Sequence, residues 1–352
     1  MRVLGTNTTR RQSAVSSPQA FTGAPAAAQP RRLSSNCVKS NLQSKCEKSA
    51  HTSAFATNFA HTEDKRLPRQ EEFAALGRPP IIRRRVNIDF DPIKARGWHH
   101  RRKDLANFLN GMSFLFPAGE KFFIQSVQHY EPTITDPLLK EQAKRFIYQE
   151  AMHTTQHARC NAAVEDRFPL AQKIARYAAA QTEAGARYAP KAVQLAFTCA
   201  LEHFTAILAD ALLRSQQAIL LESEASYAEL WLWHAVEEIE HKAVAFDVYR
   251  VGVGKGILSY LLRVSVMLLT TVTFLLAVRY IIKKISGCDR DEDHSSVLVK
   301  PKFAKITREL FLSRQYLAYY CPAFHPWNYD NSQLVEQWKA RFRGFGTAMD
   351  TA

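Results

Sequence analysis

No Cys-x-x-Cys pair occurs in the 352-residue chain; its six cysteines, Cys37, Cys46, Cys160, Cys199, Cys288 and Cys321, are scattered. That absence excludes a zinc ribbon, a cysteine-ligated iron–sulfur cluster and a redox dithiol, and it fits a reducing compartment. A Gly-rich phosphate loop, a Gly-x-Ser-x-Gly elbow and a His-Glu-x-x-His motif are equally missing. Their absence removes the commonest nucleotide, serine-hydrolase and zinc-protease signatures. No apolar run follows the first arginines, so a secretory signal is not expected. Period-two alternation of apolar residues is scarce, which disfavours sheets. Material for a core is ample. Hydrophobic residues make up 46% of the chain, enough for one large domain or two ordinary ones.

Acidic residues are also missing at first: none precedes Glu47, and residues 1–103 hold 20 Lys and Arg against 7 Asp and Glu. The rest of the chain holds 27 against 26, so the net charge of +14 belongs almost wholly to the N-terminal part. A basic arm can meet nucleic acid or an anionic membrane, but a solvated tail is the commoner case, and nucleic acid is not the expected partner. Residues 1–80 lack any sustained apolar period and are expected to form a disordered arm. Being Arg- and Ser-rich and acid-poor, the arm also resembles an organellar targeting segment, or the product of a start codon placed too far upstream. Otherwise the expected location is the cytoplasm or the cytoplasmic face of a membrane.

From Pro79 the chain changes character. Residues 83–91 read as a short extended lead-in, after which apolar residues recur at helical spacing. Helices are expected near 104–130, 136–163, 169–184, 190–219 and 224–254. Pro132, Pro137, Pro169 and Pro190 fall at the joins, and Pro117 either kinks the first helix or starts its second half. The fold class is therefore all-α, with a four-helix bundle over residues 81–256. Residues 257–284 form a hydrophobic helix in which the 15 residues Val264–Val278 carry no charge. It suits a membrane only if Arg263 or Arg279 lies at an interface; the alternative is a helix buried against the bundle. Residues 285–352 form a C-terminal extension, with an acidic loop at 289–293 and helices near 302–318 and 331–344.

Four successive expected helices carry Glu120, then Glu150 with His153, then Glu202, then Glu238 with His241, at intervals of 30, 52 and 36 residues. Residues i and i+3 project from one helix face, so each Glu-x-x-His offers a carboxylate and an imidazole to the same interior point. Two lone Glu residues complete six ligands for two divalent metals, as in di-iron and di-manganese carboxylate bundles. One Glu-x-x-His alone is usually a surface pair; the ordered set, among apolar neighbours such as Phe122, Phe146, Phe204 and Leu232, is hard to obtain by accident. Without cations, four carboxylates in a dry core would each cost several kcal/mol or take up protons.

His234, one turn before Glu238, is either a seventh ligand or a histidine that supports the ligands. His157 shares the face of Glu150 and His153, and Glu237 lies about 60° from His234, so both are candidates to donate a proton to a leaving group. Glu240 points about 200° away from Glu238 and is expected in solvent, and His203 should face away from Glu202. Asp247 and Asp210 are candidates to accept the outer ring N–H of a metal-bound histidine.

The blocks RRRVNIDFD, SFLFPAGEKFF, FIYQEAMHTTQH, LAFTCALEHFTAILAD, WLWHAVEEIEHKAVAFDVY and FHPWNYD resemble the bacterial predicted metal-dependent hydrolases, a ferritin-like helical group. The resemblance covers about residues 82–345. It implies a ferritin-like bundle and makes Glu120, Glu150, His153, His157, Glu202, His234, Glu238 and His241 the site candidates. Where the family pattern has a glutamate before the second His of the second block, this chain has Gln156. The His-x-x-x-Glu-x-x-His spacing at 234–241 is also similar to that of di-iron arylamine N-oxygenases.

Three readings follow. In the first, a di-metal hydrolase activates water and polarises a scissile group. In the second, a di-iron oxidase or oxygenase activates O₂, which an all-N/O donor set suits. In the third, the bundle binds metal, or a membrane, without turnover. The expected cofactors are two divalent ions, iron first, with manganese or zinc as alternatives. The expected partners are a small-molecule substrate of apolar character, a membrane surface and a second copy of the chain.

Overall fold

The computed structural model describes residues 78–95, 97–165, 171–288, 311, 313–342 and the pair Thr347–Ala348. Nearly all of the expected arm, the 289–293 loop and most of the 302–318 helix lie outside the described residues. Among the described residues eleven α-helices dominate: α1 (Lys103–Ser113), α2 (Phe116–Tyr130), α3 (Pro137–Val164), α4 (Ala171–Tyr188), α5 (Lys191–Arg214), α6 (Gln216–Leu221), α7 (Ala225–His241), α8 (Val244–Gly252), α9 (Ile257–Cys288), α10 (Arg314–Ala318) and α11 (Ser332–Phe342). Among the described residues the only strands are β1 (Arg84–Arg85) and β2 (Thr347–Ala348), paired antiparallel with Arg84 opposite Ala348. The fold is all-α, as expected.

The helix boundaries follow local chemistry. Pro137 opens α3, where its missing N–H is harmless, and the Asp136 carboxylate caps the Leu138 N–H at 3.0 Å. Pro117 lies in the first turn of α2, so the expected 104–130 helix is two helices joined at Phe114–Leu115. The expected 224–254 helix also divides, at Lys242–Ala243. There the Lys242 ammonium leaves the helix line to donate to the Tyr329 carbonyl (2.8 Å) and Asn331 Oδ1 (2.7 Å), with its Nζ 3.8 Å from the Trp327 ring centre. The 190–219 helix breaks likewise at Ser215, between α5 and α6.

Helices α2, α3, α7 and α5 pack in that cyclic order, each against the next, and form the four-helix bundle; α4 leans on α2, α8 caps α5 and α3, and α9 runs along α5 and α1. Buried aromatic and aliphatic side chains such as Phe146, Phe204, Trp233, Leu195 and Ile239 fill the interior. At the end of α8 the packing leaves no room at Gly252, where a Cβ would strike the Tyr130 ring. Gly252→Ala should therefore cost about 1–3 kcal/mol, read as a lowered urea midpoint; an unchanged midpoint would contradict that contact.

Two helices, α5 and the Ile257–Ile281 part of α9, are long and apolar enough to cross a membrane. α5 is mostly buried inside the bundle and is a core helix. α9 differs. Val266, Met267 and Val278 pack inward while Leu261, Leu268, Leu269, Val272 and Leu276 are half or more exposed. Arg263 does not reach an interface: it is buried, with its guanidinium donating to the carbonyls of Tyr319 (2.5 Å) and Cys321 (3.3 Å). Arg279 is exposed.

Candidate metal centre

The bundle brings all seven expected ligands to one point. Glu120 comes from α2, Glu150 and His153 from α3, Glu202 from α5, and His234, Glu238 and His241 from α7, each 5% exposed or less. Nε2 of His241 lies 3.2 Å from Glu150, 3.4 Å from Glu202 and 3.5 Å from Glu238 Oε2. About Glu238 Oε1 lie His234 Nε2 at 2.8 Å and His153 Nδ1 at 3.7 Å. The donors thus form overlapping groups, one of Glu150, Glu202 and His241, another of His153, His234 and Glu238, with Glu120 beside Glu150 and His153. Glu238 offers one oxygen to each group.

These atoms are buried without hydrogen-bond partners. Both oxygens of Glu120, Glu150 and Glu202, both ring nitrogens of His153, Oε2 of Glu238 and Nε2 of His241 have none. So many orphaned donors and acceptors in one place exceed what a folded interior tolerates unless a ligand satisfies them. The electrostatics carry the same strain. Burial and the Glu150 charge push Glu120 well above the usual carboxylate range, burial and the Glu238 charge do the same to Glu202, and burial raises Glu150 to about 6. Burial pulls His241 down, but the Glu202 and Glu238 charges outweigh it and drive its pKa up; burial and the neighbouring His234 pull His153 well down. Divalent cations among four carboxylates would relieve all of these at once.

The outer shell fixes which ring nitrogens face the cluster. Gln149 donates its amide N–H to the Ile82 carbonyl (3.0 Å) and Glu240 Oε2 (2.8 Å), so its Oε1 must accept from His241 Nδ1–H at 2.9 Å. A neutral His241 then presents a bare Nε2 to three carboxylates. On the other side, Asn161 donates to the Ser113 carbonyl (3.0 Å) and accepts from Ser113 Oγ (2.7 Å). Ser113 Oγ accepts in turn from His157 Nδ1–H (2.8 Å), which leaves His157 Nε2 to accept from His234 Nδ1–H (2.7 Å). His234 Nε2 is left facing Glu238. Metal-ligating histidines are held in this way, with one nitrogen free for the ion and the other donating outward.

Several expected roles change. His157 hydrogen-bonds His234 and has a ring nitrogen within reach of the Glu120 and His234 donors, while Glu237 has Oε2 3.2 Å from His153 Nε2 and Oε1 accepting from Arg84 at 2.8 Å. Glu240 is not in solvent. The lead-in covers that face of α7, and Arg84 clamps Glu240 through both guanidinium nitrogens (2.7 and 3.0 Å). Burial alone would lower the Arg84 pKa, but Glu240 and Glu237 outweigh it and hold the guanidinium charged. Asp247 and Asp210 do not back the ligands. Asp247 pairs with Arg78 (3.1 Å) and His325 (3.0 Å), and Asp210 with Arg214 and Asn331. His203 turns away from Glu202, as expected, and meets the Gln315 carbonyl. Gln156 brackets the lead-in by accepting from the Ile88 N–H and donating to the Val86 carbonyl, and a carboxylate could not donate there.

A cavity of about 300 Å³ among α2, α4, α5 and α9 reaches the cluster at Glu120, His234 and Glu238; its walls include Leu115, Phe116, Phe197, Leu201, Phe204 and Phe274. A larger cleft of about 760 Å³ among α2, α3 and α4 contains none of the seven donors. Neither His157 nor Glu237 lines the smaller cavity, so the geometry does not support either as the group that meets a leaving group.

No curated protein and no solved structure matches the chain. A family model described as predicted metal-dependent hydrolase matches residues 82–330, and the chain belongs to that family.

Proposed function

We propose that the protein is a di-metal enzyme of hydrolytic type, with Glu120, Glu150, His153, Glu202, His234, Glu238 and His241 holding two divalent cations. The carrying observation is the concentration of partnerless buried oxygen and nitrogen atoms on six of those residues, all but His234. When bound, the two cations would lower the pKa of water and polarise a carbonyl or phosphoryl oxygen. The chain supplies the rest. Gln149 and His157 hold the tautomers of His241 and His234, while Arg84 pairs with Glu237 and Glu240 behind α7. Substrate meets the cluster on the side of Glu120, His234 and Glu238, where the cavity arrives. Glu120 and Glu238 are the two carboxylates that face both cavity and cluster.

A second reading, O₂ activation by two Fe(II) ions, is favoured by the purely N/O donor set and by the apolar walls. A cavity leading to the cluster favours either enzyme over a metal-storing bundle. The deciding test mixes anaerobic, Fe(II)-loaded protein with O₂ and follows oxygen uptake and visible absorbance. No uptake, together with ester or phosphoester cleavage by the Mn(II) or Zn(II) form, is the expected result. Rapid uptake with an iron-stoichiometric absorbance change would replace hydrolysis with oxidation.

A further inference from the structure

The cavity that reaches the cluster does not end at the protein interior. It shares Leu115, Tyr177 and Ala277 with a groove of about 360 Å³ between α4 and α9, whose other walls are Ile174, Leu276, Tyr280 and Ile281. Leu276, Tyr177 and Tyr280 are exposed, so the apolar path runs from Glu120 to the surface.

Its threonines add little polarity. Thr270 donates to the Val266 carbonyl, Thr273 to Leu269, Thr182 to Ala178 and Thr205 to Glu202, each closing on its own helix. Among the described residues between cluster and mouth, Gln181 is the one remaining amide, and no charged side chain lines the path. Such walls can recognise length and apolar surface but not a polar body.

The mouth opens onto the outer face of α9. There Leu261, Leu268, Leu269, Val272 and Leu276 form an exposed apolar stripe, with Arg263 withdrawn into the protein and Arg279 at the far end. Exposed apolar surface of this extent marks an interaction site. Tyr177 and Tyr280 at the mouth suit the headgroup level of a bilayer. The basic excess of residues 1–103 favours an anionic leaflet. A second copy docked on α9 would instead seal the mouth.

We infer that the substrate carries a long aliphatic chain and is drawn from a lipid leaflet on which the outer face of α9 lies, the chain passing Tyr177 and Leu276 while its reactive group meets Glu120, His234 and Glu238. The word substrate rests on the function proposed above; chain binding does not.

The test uses the full chain, cis-parinaric acid as the probe, vesicles of phosphatidylglycerol or phosphatidylcholine, and metal analysis of every sample. Saturable one-to-one probe binding is expected. Ala277→Trp, and independently Leu276→Trp, should weaken it by about tenfold or more with metal content unchanged. Co-flotation with phosphatidylglycerol vesicles is expected, with loss in the Leu268→Lys/Val272→Lys variant. Metal-replete protein that binds neither probe nor vesicle would overturn the inference, as would a dimer that the lysine variant dissociates. Probe binding without any bound metal would instead sink the di-metal reading and leave the path standing.

Discussion

Glu238→Ala is expected to empty the protein of metal altogether, whereas Glu202→Ala should leave about half. Glu238 offers Oε1 to the His153 and His234 side and Oε2 to the His241 side, so its loss strips both groups of a shared anion. Glu202 belongs only to the group with Glu150 and His241. Metal-to-protein ratios after gel filtration decide the matter, and full occupancy in Glu238→Ala would refute the ligand assignment. The same geometry sets a pH dependence. In the metal-free protein Glu120, Glu150 and Glu202 are raised, Glu150 to about 6, so protons compete with metal for these carboxylates as the pH falls. Apparent affinity should fall as pH drops through about 6.

Arg84→Ala is expected to be the most destabilising single change, at about 3–5 kcal/mol, because it leaves Glu237 and Glu240 buried and uncompensated. A drop in melting temperature on the order of 10 °C should accompany it. Lys at this position should not restore stability, since one ammonium cannot reproduce a fork that grips Glu240 through two nitrogens and still reaches Glu237. Arg84→Met with Glu237→Gln and Glu240→Gln should recover part of the loss. A melting curve for Arg84→Ala that overlays the parent would dismiss the clamp.

The shared face of His234, Glu238 and His241 was legible because helical periodicity is a one-helix property: i, i+3 and i+4 place them together whatever the helix packs against. The shell behind them was not legible from helical spacing. Asp247 and Asp210 were plausible partners by composition, yet only packing reveals that Gln149, one residue before a ligand, reaches His241. Glu240 was misjudged for a related reason, since α7 alone says nothing about the segment laid over its outer face. A signal did exist for Arg84. Positions 84, 86, 88 and 90 are buried and 85, 87, 89 and 91 exposed, a period of two that aligns Arg84 with Val86, Ile88 and Phe90. The helix break at Phe114–Leu115 answers to Pro117, a local signal, whereas the break at Lys242 answers to contacts with Tyr329 and Asn331 that no local pattern encodes.

The clamp also sets an order of assembly. Arg84 meets Glu237 and Glu240 across 153 and 156 residues, and its strand pairs with Thr347–Ala348, which emerge about a hundred residues after His241 during synthesis. Contacts of such separation form late, after the loop-closure entropy between them has been overcome. Arg84 is synthesised long before α7, so the clamp must wait for Glu237 and Glu240, and the strand pairing beside it must wait longer still, for Thr347–Ala348.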